Sequence, residues 1–92
     1  MIVSFRHKGL KRFYEEDNSS KLPNEMLERI RGILTVLDHA RDLSAVDRPT
    51  LRLHALKGDL KGFHAVTVRA NWRIVFRLDG ENICDVDFVD YH

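Results

Sequence analysis

The chain has 92 residues, of which 43% are apolar and 32% charged. That is enough for one modest core, too little for two, and a balance that excludes wholesale disorder. Apolar runs are short, so neither a signal peptide nor a membrane span is expected, and the protein is assigned to the cytoplasm. Net charge is only +1, and the single cysteine, Cys84, excludes an internal disulfide framework.

Met1-Ile2-Val3-Ser4-Phe5 is rich in β-branched and aromatic residues and is predicted as a first strand. From His7 to about Glu16, Leu10, Phe13 and Tyr14 fall at helical spacing, which predicts a short helix. Asp17 to Lys21 is a polar break. Pro23 stands near the next helix start, and Met26, Leu27, Ile30, Ile33, Leu34 and Leu37 mark its apolar face through Ala40. Arg41 to Pro49 is charged and mixed, a loop with at most one helical turn.

After Pro49 the period changes to two. Leu51 to Leu56, Ala65 to Val68 and Trp72 to Leu78 alternate as strands, and Asp79-Gly80 is a turn signal joining the third to a strand over Asn82 to Val89. Gly58 and Gly62 bracket a flexible connection. The fold class predicted for residues 1–92, taken as one domain, is α+β, with two N-terminal helices packed on one face of a mostly antiparallel β-sheet. Cys84 lies in a Val/Phe/Ile-rich strand and is read as a small buried hydrophobe.

Charge is sorted along the chain. Between Arg52 and Arg77 stand six cations against one acid, Asp59, while from Asp79 onward the charges are acidic apart from His92. The middle of the chain can therefore build a cationic surface for an anionic partner. Arg69 and Arg73 flank a connection short enough to bring both guanidinium groups to neighbouring cross-strand positions. Such a pair either clamps a phosphate or is neutralised by Asp85, Asp87 or Asp90. His54 shares its predicted strand with Arg52 and Leu56, with Lys57 three residues on, and is either structural or an acid-base group. Asp90-Tyr91-His92 closes the last alternating segment with residues that move protons or stack on a base.

The histidines are scattered, and no HExxH, CxxC, Gly-rich phosphate loop or GxSxG elbow occurs. No metal or cofactor is expected. A catalyst made from these residues runs on acid-base chemistry and cationic stabilisation, which suits RNA, a substrate that carries its own nucleophile in the 2′-hydroxyl.

Four stretches carry a family resemblance: Met1 to Leu10, Leu53-His54-Ala55-Leu56-Lys57-Gly58-Asp59, Val66-Thr67-Val68-Arg69-Ala70-Asn71-Trp72-Arg73-Ile74, and Asp90-Tyr91-His92. In order and spacing they resemble HigB toxins of the RelE superfamily. The resemblance implies a RelE-like microbial ribonuclease fold and a type II toxin that cuts mRNA in the ribosomal A site. It further implies His54 and His92 as acid-base groups, Asp90 and Tyr91 orienting the substrate or stacking on a base, and Lys57, Arg69 and Arg73 holding the scissile phosphate. The implied partners are mRNA, the ribosome and a HigA-like helix-turn-helix antitoxin. A non-catalytic RNA- or ribosome-binding domain is the alternative from another class, and a degenerate toxin kept for its antitoxin is a third. A pure binding module has no use for two titrating imidazoles.

Overall fold

The computed structural model describes residues 1–91. The helical periodicities become α1 (Lys8–Glu16) and α2 (Leu27–His39), the latter entered through a 3₁₀ turn at Asn24–Met26 that Pro23 initiates. The period-two segments become β1 (His54–Ala55), β2 (Phe63–Arg69), β3 (Trp72–Asp79) and β4 (Asn82–Asp90). The four strands lie in the order β1-β2-β3-β4, each antiparallel to its neighbour.

Alternation sorts the sheet into two faces. Val66, Ile74, Phe76, Ile83, Val86 and Phe88 meet Leu10 and Phe13 of α1 and Ile30, Ile33, Leu34 and Leu37 of α2 in one cluster. Each large side chain buried there stabilises the fold by about 1.5–3 kcal/mol. Ala65, Val75 and Cys84 are also buried but stand outside that cluster, on the opposite face. Cys84 is thus the buried apolar residue its setting predicted.

Two predicted strands differ from the structure. Met1–Phe5 runs parallel to β4 but makes only two isolated bridges, Ile2 with Ile83 and Phe5 with Val86. A bulge in β4 accounts for the gap: Asp85 takes a left-handed φ of 54° and donates its N–H to Ser4 Oγ at 2.8 Å, so the ladder is broken in the middle. The strand predicted over Leu51 to Leu56 shrinks to His54–Ala55. Residues 48–52 instead form a turn, in which Arg48 O accepts from Leu51 and Arg52, and Arg52 sits at φ 51°. The Asp79-Gly80 hairpin is present, with Asp79 opposite Asn82 and Gly80 supplying a φ of 61°.

His7 caps α1: its Nδ1 accepts the Leu10 N–H at 3.1 Å, and the ring packs edge-on against Phe88. Gly9 allows this closure. A Cβ there would lie 2.7 Å from Lys21 Cβ and 2.8 Å from His7 Cε1. Helix propensity alone favours Gly9→Ala by about 1 kcal/mol. Overpacking, at about 1–3 kcal/mol, plus displacement of the cap, at about 1 kcal/mol, outweighs it. Gly9→Ala should therefore lower the melting temperature by several degrees, and a rise in melting temperature would refute this steric account.

Asp38 at the end of α2 fastens the N-terminal segment. Its Oδ1 accepts the Ile2 N–H at 3.0 Å and the Tyr14 hydroxyl at 2.6 Å. Burial pushes the Asp38 carboxyl up, but the Tyr14 hydroxyl, the Ile2 N–H, the N-terminal ammonium and His39 together bring it below the usual carboxylate range. The same hydrogen bond, then burial, pushes the Tyr14 phenol up to about 12. The depressed carboxyl contributes stability above pH about 4 that is lost as pH falls through its folded value. The raised phenol contributes stability below pH about 10 that is lost as pH climbs towards 12. Denaturant unfolding across pH should show both losses shrink in Tyr14→Phe, and an unchanged acid limb would remove the hydroxyl from the account.

Candidate active site on the face away from the helices

Cross-strand pairing shows which site residues share a face. One row runs His54, Ala65, Val75, Asp87 from β1 to β4, and the next runs Thr67, Arg73, Val89 from β2 to β4. Tyr91, two residues beyond Val89, donates its N–H to Asn71 O at 2.7 Å, so the β2–β3 turn holds the end of β4. The Arg73 guanidinium stands 6.0 Å from the Tyr91 ring centroid, at the outer limit of a cation–π contact. His54 is exposed on the short edge strand. The face turned away from the helices thus carries an exposed imidazole, a guanidinium and a phenol over the small apolar residues Ala65 and Val75.

Arg69 and Arg73 are not set opposite each other. A bulge between Thr67 and Arg69 pairs Arg69 with Trp72 and Arg73 with Thr67, while Ala70 turns the chain at φ 49°. Arg73 is also tied to its own turn, Nη1 donating to Ala70 O at 2.6 Å and Trp72 O at 3.1 Å. Asp85 and Asp87 of β4 have other partners. Asp85 binds Arg77 Nε at 2.7 Å, which holds the Arg77 proton more firmly, and Asp87 Oδ1 accepts the Phe88 N–H at 2.9 Å.

Lys57 is exposed where β1 gives way to the 3₁₀ turn Gly58–Leu60. Asp90 ends β4 opposite Trp72. His92 lies outside the described residues. The other histidines serve elsewhere: His7 caps α1, His64 stacks on Phe76 with centroids 6.1 Å apart, and His39 Nδ1 meets Thr35 O. Among the described residues no group of three His, Cys, Asp or Glu converges to hold a metal, and no helix is long and apolar enough to cross a membrane.

Sequence reasoning missed a cavity of about 150 Å³ beside Tyr91, where Arg6, Phe63 and Leu60 meet Asp87 and Val89. The alternation of Asp85, Asp87, Val89 and Tyr91 carried a signal for one wall. Arg6, whose guanidinium lies 4.8 Å over the Phe63 ring, gave none, because its placement comes from the N-terminal segment crossing to β4.

The family model described as the RelE-like toxin of the type II toxin-antitoxin system HigB matches residues 3–92. The chain belongs to the HigB-like toxin family. It is 40% identical to the Endoribonuclease HigB of Proteus vulgaris over 92 residues, all of both chains. It is 32% identical to Toxin HigB-1 of Vibrio cholerae over 83 residues, 87% of each. Among solved structures, YafQ from E. coli gives a TM-score of 0.64 at 14% identity, covering 98% of this chain and 91% of that one. The toxin in a heterotetrameric YoeB–YefM complex from Staphylococcus aureus gives 0.63 at 21%, covering 100% and 95%. At those identities the structural likeness speaks for the fold: two helices on a four-stranded antiparallel sheet in this HigB-like toxin, as in the RelE-superfamily toxins.

The bulge changes what removal of Arg73 should do to stability. With no like charge directly across the ladder, Arg73→Ala relieves little repulsion and loses two partly exposed hydrogen bonds, a cost of about 0.5–1 kcal/mol. Chemical denaturation should show a small loss for this variant, and a gain would reinstate charge repulsion between the two arginines.

Proposed function

We propose that this HigB-like toxin is a ribosome-dependent endoribonuclease that cuts mRNA in the ribosomal A site. The observation that carries this reading is the placement of His54, Arg73 and Tyr91 on the one sheet face free of helices. Full-length kinship to a protein named Endoribonuclease HigB supports it.

The chemistry proceeds without a cofactor. One imidazole, His54 or His92, takes the proton of the 2′-hydroxyl, whose oxygen attacks the adjacent phosphorus. Arg73, with Lys57 and Arg69 reaching from the end of β1 and the β2–β3 turn, stabilises the negative charge of the phosphorane-like transition state. The other imidazole gives a proton to the departing 5′-oxygen, leaving a 2′,3′-cyclic phosphate. Tyr91 offers a ring for a base to stack on, and Asp90 orients the substrate or the neighbouring imidazole. The net charge is only +1, so the ribosome supplies the alignment of the strand. Translation in the cytoplasm is the setting this requires. The partner is a HigA-like helix-turn-helix antitoxin, in keeping with the type II family and with the YoeB–YefM complex of a structural relative.

The purified toxin should leave free mRNA largely intact and cleave it when programmed on ribosomes. His54→Ala and Arg73→Ala should each lower that cleavage about a hundredfold or more while remaining folded by circular dichroism. Efficient cutting of free RNA would remove the ribosome from the mechanism. Full activity in both variants would leave that shared face without a catalytic role.

A further inference from the structure

The cavity beside Tyr91 has a chemistry unlike that of the cationic site it adjoins. Val75, Val89, Phe63 and Leu60 give it an apolar part of its lining. A cavity of about 150 Å³ is large enough for a six-membered ring. Its charged lining is mainly carboxylate, Asp85, Asp87 and Asp90 against Arg6. Such a lining offers acceptors to a flat uncharged ring with hydrogen-bond donors on its edge. Arg6, already over the Phe63 ring at 4.8 Å, is placed to stack on such a group.

The carboxylates are not equivalent. Asp85 is engaged by Arg77 at 2.7 Å. Asp87 accepts one hydrogen bond, from the Phe88 N–H. A carboxylate has about four lone-pair sites, so Asp87 retains acceptor capacity. Adenine, cytosine and guanine each present an exocyclic amino donor. Uracil presents carbonyl oxygens on either side of its one N–H, and these oppose a carboxylate. Sites built to receive a donor discriminate strongly against a ligand lacking it. Position completes the argument: Tyr91 lines the cavity and also faces Arg73, and Asp87 lies in the same cross-strand row as His54.

We infer that the cavity formed by Phe63, Val75, Asp87, Val89 and Tyr91 is a nucleobase pocket that selects an amino-bearing base over uracil in the RNA being cut. This assignment rests on the nuclease reading for its biological substrate, but base binding can be measured without cleavage. The purified toxin would be titrated with AMP, CMP, GMP and UMP while backbone amide resonances are followed. Saturable shifts at Phe63, Val75 and Val89 are expected for the first three, with UMP weaker by about tenfold or more. Asp87→Asn keeps an oxygen for the Phe88 N–H and adds a donor, so it should close that gap. Val89→Phe fills the cavity and should abolish the shifts for all four, which decides the matter if Asp87→Asn does not fold. Equal binding of the four nucleotides, shifts confined to Lys57 and Arg73, a gap unchanged in folded Asp87→Asn, or full binding by Val89→Phe would each overturn the pocket. Ribosome-programmed cleavage with the same proteins separates the two readings. Cleavage without base-selective binding leaves the nuclease and removes the pocket, while base-selective binding without cleavage leaves the pocket and removes the nuclease.

Discussion

The register of β3 is the constraint on which the rest depends. Ile74 and Phe76 are fully buried against the helices, while Arg73, Val75 and Arg77 alternate with them onto the other face. A slip of one residue would drive guanidinium groups into the core and bring Phe76 to solvent, at a cost no surface interaction could offset. Pinned on both sides by β2 and β4, this strand determines that Arg73 lies on the same face as the imidazole of β1 and the phenol after β4. The hydrophobic core thereby orients a polar site that it does not touch.

Two bulges adapt this ladder. At Asp85 the left-handed residue re-phases β4, so that Ile83 and Val86 both enter the core while Asp87, Val89 and Tyr91 line the opposite face. Near Thr67 the second bulge shifts Arg69 to a position across from Trp72, itself stacked on Phe88 at 4.6 Å. Arg29 of α2 braces that region, its Nη2 donating to Thr50 O and Thr67 O and its Nε to Val68 O. One side chain thus joins the helix layer, the turn before β1 and the irregular end of β2. This guanidinium is a structural brace. Among the described residues, the hydrogen bonds of the site guanidinium, Arg73, run from Nη1 to its own turn, and a guanidinium has further donors to offer a ligand.

The cationic rim and the carboxylate-lined cavity divide one face between two kinds of group. In the proposed reading the arginine, lysine and histidine side takes the phosphate, and the cavity takes a ring. Separation of backbone contacts from base contacts is how nucleic-acid recognition obtains affinity and selectivity from different residues. A sheet suits this division because adjacent rows lie only a strand spacing apart.

What the sequence determined by itself was whatever follows from local periodicity and ordered motifs. The apolar faces of α1 and α2, the strands around Ala65, Trp72 and Ile83, the turn at Gly80 and the family all follow from spacing along the chain, because burying one face of a helix or strand imposes that spacing. The pairing of layers was also legible, since two amphipathic helices and an alternating sheet have few ways to cover each other. Tertiary structure alone decided the rest. The Met1–Phe5 segment is β-prone yet reduced to two bridges by a bulge in a distant strand. Alternation over Leu51–Leu56 yields to a turn that Arg29 secures from α2. The Arg69–Arg73 juxtaposition, plausible from a short connection, is undone by a single unpaired residue in β2, and the cavity joins Arg6 to Asp87 across most of the chain. Strand register and bulges depend on which partner a backbone group finds. That choice is made by packing between segments far apart in sequence, and local propensity carries no record of it.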